Sequence, residues 1–169
     1  MKIKTKFFGE IDIEDEQIIL FPYGIYGFED YNRFVLLHDI DYEDENETVF
    51  RFLQCADEEN LCFTVVDPEF IERTYNPKLP ENYIKKLGIL NGGNLIYLVI
   101  VVIGENLEDS TANMQGPIVI NSKNMLGAQI ILESSEPENA KYQIKHKLFA
   151  VHESSVGATN KGSGSAAVC

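Results

Sequence analysis

The chain has 169 residues, a size typical of one domain, and carries 27 acidic and 14 basic side chains for a formal charge of −13. Hydrophobic residues make up 44% of it, which excludes a wholly disordered chain. Its negative charge disfavours nucleic-acid phosphates and anionic membranes as direct partners. Because the N-terminus lacks a long apolar run, no secretory signal is predicted and a cytoplasmic location is expected.

The acidic residues are concentrated in the first half of the chain. Residues 10–72 contain 19 acidic and two basic side chains, whereas residues 73–169 contain eight acidic and nine basic ones. A one-sided acidic field speeds encounters with a basic partner protein. A solvated face that only prevents aggregation would produce the same pattern, so both interpretations stay open.

Alternating apolar and polar residues predict period-two strands in the first half. These strands cover residues 3–7, 9–13, 18–21, 34–37, 49–55 and 61–66. A loop rich in glycine and aromatic residues (22–30) and an acidic loop (39–47) interrupt them. Asp67-Pro68 is expected to end the last of these strands, since proline has no amide proton for a ladder hydrogen bond.

The second half holds the one predicted helix, from Pro80 at its first position to Leu87, with Gly88 after its end. A turn at 91–94 leads into an apolar, β-branched run, 95–103, that predicts a central strand buried on both faces. Two further strands are predicted at 117–121 and 128–132.

Many short strands without regular helices between them predict a mainly β fold. We expect an antiparallel barrel-like or two-layer sheet of about eight to nine strands with one short helix. A single domain is predicted over residues 1–149, and residues 150–169, rich in glycine, serine and alanine, are predicted to be a flexible tail.

Signatures of enzymes and metal sites are weak in this sequence. It contains no nucleophile elbow, no phosphate-binding loop and no zinc-helix spacing, and the acidic loop fails the calcium-loop pattern, so no catalytic residue, metal or other cofactor is predicted. An odd number of cysteines without regular spacing indicates buried thiols at Cys55 and Cys62 rather than disulfides. One alternative is a small-ligand-binding or hydrolytic β-barrel that uses these two cysteines with His38.

Two loops have unusual compositions. Residues 25–28 place three large apolar side chains beside glycines, as interface anchors or as a plug over an open end of the sheet. In residues 111–117, the Thr111 and Asn113 side chains either bond the loop backbone or belong to an edge or lip that receives a partner segment.

Four groups of residues, in order along the chain, resemble the FliW family of bacterial flagellar assembly factors. They are 4–9; 21–29 with 34–37; 53–54 with 63–68; and 111–121 with 129–132. The resemblance covers residues 1–149 and departs from the family pattern at Tyr26, Glu69 and Gln115.

The resemblance implies a non-enzymatic regulator, and we expect a monomer when the protein is free. Proteins of this family bind the RNA-binding translational repressor CsrA, antagonise its RNA binding allosterically and alternately bind newly made flagellin, which controls flagellin translation. A pure flagellin chaperone is the alternative within the same setting.

Candidate protein-binding residues follow from the loops, the charge pattern and the resemblance together. The residues expected to contact a partner, or to shape the contact surface, are Ile25, Phe28, Phe70, Thr111, Asn113, Met114 and Pro117. The acidic residues expected to steer a basic partner are Asp57, Glu58, Glu59, Asp67, Glu69 and Glu72.

Overall fold

A computed structural model describes residues 1–38, 49–89 and 94–149. Most of its regular structure is β-strand. The elements are β1 (Lys2–Thr5), β2 (Gly9–Asp12), β3 (Ile18–Leu20), β4 (Arg33–Leu37), β5 (Arg51–Cys55), β6 (Cys62–Val66), α1 (Glu81–Lys86), β7 (Leu95–Val102), β8 (Thr111–Ala112), β9 (Ile118–Asn121), β10 (Leu126–Gln129) and β11 (His146–Lys147).

Seven of these strands close into a barrel in the order β7-β6-β5-β4-β3-β10-β9, with β9 pairing back onto β7. All these pairs are antiparallel except β3 with β10, which is parallel at Leu20 and Leu126. Strands β8 and β11 extend the sheet beyond β7, and β1 and β2 form a separate hairpin. The predicted mainly β, barrel-like fold with one short helix is confirmed, although the described residues form eleven strands and one pair is parallel.

The barrel interior is filled by alternate residues of its strands. Strand β9 shows the pattern, since Ile118 and Ile120 pack in the interior cluster whereas Val119 packs in a different cluster outside. The interior cluster consists of Ile19, Phe21, Ile25, Phe34, Leu53, Cys55, Leu61, Val65, Leu98, Ile118 and Ile120. This strict period of two explains why sequence alternation identified the strands.

Further apolar layers cover much of the outside of the barrel. The β1–β2 hairpin packs Ile3 and Ile13 against Val35 of β4, and residues from 66–89 and 128–149 form a larger outer cluster. Leu98 and Val99 of β7 are fully buried in the inner and outer clusters respectively, which confirms a central strand buried on both faces.

Several element boundaries differ from those predicted. Pro80 lies one residue before the helix, as its N-cap, rather than at its first position. The strand predicted at 128–132 begins earlier, at Leu126, because Met125 adopts a positive φ of 56° and closes the hairpin from β9. Phe7 is exposed since β1 ends at Thr5.

Four short 3₁₀ turns, 15–17, 68–70, 107–109 and 137–139, were not predicted. The acidic loop 39–47, most of the turn 91–94 and the tail 150–169 lie outside the described residues.

Of the two interpretations of residues 111–117, the edge that receives a partner segment is wrong for β8. This strand pairs with β7 on one side and with β11 on the other, and Leu148 N–H donates to the Ser110 carbonyl at 3.0 Å. The chain's own segment 146–148 therefore covers the edge that this interpretation assigned to a partner.

Candidate protein-binding surfaces

The predicted steering residues lie at opposite ends of strand β6. Asp57, Glu58 and Glu59 are in the turn that precedes this strand, and Asp67, Glu69 and Glu72 follow its last residue. At roughly 3.3 Å per residue, five strand residues separate the two groups by about 16 Å. That distance is twice the screening length of roughly 8 Å at physiological salt, so the acids form two fields rather than one.

One field lies at the Asp57 end, which we define as the loop 21–32 together with the turn 56–61. The turn lies beside the end of this loop, because Ala56 N–H donates at 2.9 Å to the carbonyl of Arg33, the residue that follows the loop. The Arg33 guanidinium also binds the Asp57 carboxylate through two hydrogen bonds, one of them from Nε at 3.0 Å. The hydrogen bond from Arg33 lowers the pKa of Asp57, and the same bond raises the pKa of Arg33.

The loop 21–32 both plugs the barrel and presents an aromatic side chain. Ile25 is 1% exposed and belongs to the interior cluster, whereas Phe28 is 40% exposed. Phe28 N–H donates to the Ile25 carbonyl at 2.7 Å, and the Phe28 ring packs edge-on against Phe63 of β6 at 5.3 Å. Ile25 therefore acts as the plug, whereas the role of the exposed Phe28 as an interface anchor stays a prediction.

Three tyrosines form a shallow cleft of about 140 Å³ beside this loop. Tyr23 and Tyr26 are 57% and 56% exposed, and Tyr83 reaches them from α1. Lys86 Nζ lies 4.4 Å from the centre of the Tyr23 ring, and Gln129 Oε1 accepts a hydrogen bond from Tyr26 N–H at 3.1 Å. Exposed aromatic side chains on a held backbone are typical interface anchors.

Sequence reasoning missed this cleft. Tyr23 and Tyr26 were visible as aromatic loop residues, but no local pattern places α1 beside a loop about 60 residues away. Burial, and then a hydrogen bond with Tyr26, raise the pKa of Tyr83, so its hydroxyl group is neutral at physiological pH.

The second acidic field is the Asp67 end, which we define as residues 67–72. Asp67 Oδ1 accepts a hydrogen bond from Glu69 N–H at 2.9 Å and caps the 3₁₀ turn Pro68–Phe70. This turn leaves Phe70 47% exposed. The Glu72 carboxylate accepts a hydrogen bond from the Thr74 hydroxyl at 2.7 Å, which lowers its pKa.

Three of the predicted contact residues are buried. Ile25 and Met114 are at most 1% exposed, and Pro117 is also buried, so in this conformation they can shape a surface but cannot touch a partner. Asn113 Oδ1 accepts a hydrogen bond from Gly116 N–H at 2.9 Å, which confirms that this side chain bonds its own loop. Thr111 lies in β8 and is half-buried.

The residues of the hydrolytic alternative are not brought together. Cys55 pairs with Phe34 and points into the barrel, whereas His38 follows the far end of β4, about 13 Å along the strand. Burial raises the pKa of the Cys55 thiol, which makes it a poor nucleophile, and Cys62 is half-buried. Across residues 1–38, 49–89 and 94–149, no three metal-binding side chains cluster.

The helix α1, with six residues, is far below the length that a membrane span requires, and no other described helix reaches that length and apolarity.

Comparison with known proteins gives a consistent assignment. The family model described as FliW protein matches residues 2–148. The "Flagellar assembly factor FliW" of Leptospira interrogans serovar copenhageni is 37% identical over 150 residues, which are 88% of this chain and 93% of that protein. That of Caldanaerobacter subterraneus subsp. tengcongensis is 37% identical over 149 residues, covering 88% and 93% respectively.

A solved structure shares the fold. The protein described as "Crystal structure of the flagellar assembly factor FliW" superposes with a TM-score of 0.77 at 36% identity, covering 89% of this chain and 98% of that one. A family match over nearly the whole described chain, relatives at this identity and a shared barrel confirm the resemblance seen in the sequence. The chain therefore belongs to the FliW family.

Proposed function

We propose that this chain is a cytoplasmic flagellar assembly factor that acts by protein binding without catalysis. It binds a CsrA-type translational repressor and antagonises the repressor's RNA binding allosterically, and it alternately binds flagellin. Flagellin translation therefore increases when more factor is free to bind the repressor. The relatives named above are flagellar assembly factors, which supports the setting.

One observation carries the binding role. An exposed aromatic side chain lies inside each acidic field, Phe28 at the Asp57 end and Phe70 at the Asp67 end. An exposed apolar side chain surrounded by negative charges suits a partner that offers an apolar pocket surrounded by positive charges. An RNA-binding repressor has such a charge, because it must hold phosphates.

The test is a binding titration with purified repressor at rising salt, followed by a three-component titration with labelled flagellin mRNA. We expect affinity to fall with salt, and the factor to weaken RNA binding without competing directly for the RNA surface. Absence of repressor binding at low salt would contradict the proposal.

Charge reversal separates the two ends. Glu59→Lys changes the Asp57 end and Glu69→Lys the Asp67 end, while both preserve the Arg33–Asp57 pair and the Asp67 cap. Glu105→Lys, outside both ends as defined, is the control with the same change in net charge. At least one of the first two variants should bind the repressor about tenfold more weakly and associate more slowly, while the control stays near wild type.

The pure flagellin chaperone remains the second candidate. It predicts that the factor binds flagellin but leaves the affinity of the repressor for RNA unchanged in the same three-component titration. Reciprocal weakening of RNA and factor binding favours the regulator instead.

A further inference from the structure

Strand β7 has a backbone edge that no described strand covers at its beginning. Because β6 ends at Val66, it pairs with β7 only at Val99 and Ile100. On the other side, β9 pairs with residues 95–98 of β7. Among residues 1–38, 49–89 and 94–149, the first four residues of β7 are therefore paired on one side only.

The direction of the free backbone groups follows from one hydrogen bond. Asn113 N–H donates to the Ile100 carbonyl at 2.9 Å, so even-numbered residues of β7 direct their hydrogen-bonding groups toward β8 and β9. Leu95 and Tyr97 consequently direct their N–H and C=O groups to the side where β6 has ended.

The chain after β6 does not complete this ladder. In the β6 register, the residue opposite Tyr97 is Pro68, which has no N–H to donate. The Pro68 carbonyl instead accepts hydrogen bonds from Ile71 N–H at 3.0 Å and Glu72 N–H at 2.9 Å. Local sequence at the Asp67 end therefore leaves the edge open.

A cavity of about 330 Å³ lies against this edge. Three consecutive residues of β7, Leu95, Ile96 and Tyr97, line it. Side chains of consecutive strand residues point to opposite faces, so a cavity that touches all three lies beside the backbone itself. Its volume is at the lower end of the roughly 300–1,000 Å³ of ligand pockets.

The lining of the cavity also includes acidic side chains. Asp67 and Glu69 line it, against one cation, Arg51. A segment that added to β7 would pass these carboxylates and would be favoured if it carried a lysine or arginine there.

We propose that the open edge of β7 binds an extended, basic segment of a partner protein by β-strand addition. The segment lies antiparallel to β7, in line with β6, and exchanges hydrogen bonds with Leu95 and Tyr97 while a basic side chain meets Asp67 or Glu69. This binding mode is independent of whether the partners are the repressor and flagellin.

The first test is amide hydrogen exchange by NMR on the full chain. In the free protein, the Tyr97 amide should exchange at least about tenfold faster than the Val99 amide, which is paired with β6. Equal protection of the two amides would overturn the proposal, because the edge would then already be covered.

The second test adds a blocked seven-residue peptide that alternates valine and lysine. We expect it to slow exchange of the Tyr97 amide about tenfold, and expect a valine–glutamate peptide or a peptide with alternate N-methylated backbone nitrogens to do so much less. Equal binding of the N-methylated peptide, or no protection at residues 95–97 by the lysine peptide, would overturn strand addition.

A pair of variants separates the contribution of the Leu95 backbone N–H from that of its side chain. Leu95→Pro removes the N–H that faces the open edge, at a first strand position where proline is tolerated, and Leu95→Ala removes the same side chain but keeps the N–H. Proline should weaken peptide binding about tenfold more than alanine does; equal affinities would contradict the proposal. Because the probe contains neither repressor nor flagellin, this outcome is independent of the proposed function.

Discussion

Gln54 is a fully buried polar residue that joins three parts of the fold. Its Oε1 accepts a hydrogen bond from Lys6 N–H, after the end of β1, at 2.9 Å. Its Nε2 lies 3.0 to 3.2 Å from carbonyl oxygens of the turn that follows β5, those of Cys55, Glu58, Glu59 and Leu61. One amide thus ties the β1–β2 hairpin and the Asp57 end to the barrel.

Replacing this amide should be costly. Gln54→Met keeps the side-chain volume but removes the hydrogen bonds between a fully buried amide and the surrounding backbone, so we expect the free energy of unfolding to fall by about 2–4 kcal/mol. Urea denaturation measures the change, and Gln143→Met, at an exposed glutamine, is the control. A loss below about 0.5 kcal/mol would show that water replaces these hydrogen bonds.

The Arg33–Asp57 pair makes a smaller, pH-dependent contribution. Since the folded-state pKa of Asp57 is lowered, its stabilisation is present above the unfolded value near 3.8 and is lost as the pH falls through the lowered folded value. Both side chains are about two-fifths exposed, so Asp57→Asn should reduce the free energy of unfolding by only about 0.5 kcal/mol at pH 7.

Urea titrations of Asp57→Asn at pH 7 and near pH 2 test this sign. The difference from wild type should become smaller at the lower pH, because protonation of the Asp57 carboxylate removes the charge that pairs with Arg33. Asp30→Asn, at an exposed aspartate of the loop 21–32 in the same Asp57 end, is the control. A difference that persisted near pH 2 would assign the effect to packing instead of charge.

At the scale of elements, the loop 21–32 depends on a close backbone approach at Gly24. Its φ of +66° disfavours other residues, and a Cβ there would lie 2.5 Å from the Cα of Glu29. Gly27 has a similar φ of +88°, but a Cβ on it would meet no atom within 4 Å. The two glycines share a conformation and differ only in the space around them.

This difference makes a matched pair of variants. Gly24→Ala should lower the free energy of unfolding by about 1–3 kcal/mol more than Gly27→Ala, because the clash is with backbone that cannot rotate away. It should also displace Phe28 and weaken repressor binding. Thermal denaturation and the binding titration measure both effects, and equal losses from the two variants would contradict a steric cause.

Nine of the eleven strands could be predicted from sequence, whereas the two-residue strands β8 and β11 and the pairing of strands could not. Alternation of apolar and polar or buried and outer side chains at residues 3–5 and 118–121 indicates which side chains face a core. The boundaries of such strands were therefore predicted to within a few residues. Pairing between distant elements has no such local signal. The cover of β11 over β8, and the contact of Tyr83 with the loop 21–32, were therefore missed.

At the scale of the whole molecule, strand β6 sets the positions of the two candidate surfaces, because one lies before its first residue and the other after its last residue. Composition predicted an acidic first half, but it could not show that β6 carries its flanking acids to opposite ends. Two fields about 16 Å apart suit two docking events better than one broad steering surface. The buried Ile25 and Met114 show the same limit, since apolar loop residues look alike in sequence whether they anchor or plug.

The predicted domain boundary can be tested on the intact chain and on a chain that ends at Phe149. The family match ends at residue 148, so we expect both chains to have the same melting temperature within about 2 °C and the same affinity for the repressor. Circular dichroism and the binding titration are the measurements. A lower melting temperature for the short chain would place residues 150–169 within the folded domain.

The parallel contact between β3 and β10 has a consequence for synthesis on the ribosome. Leu20 cannot pair with Leu126 until more than a hundred further residues have been made. Until then, the edge of β3 that will face β10 has no partner strand. By the end of that interval, residues 1–125 carry 23 acidic and ten basic side chains. We expect electrostatic repulsion between nascent chains to prevent their unpaired strand edges from associating until the barrel closes. The negative charge would then protect against aggregation only during folding.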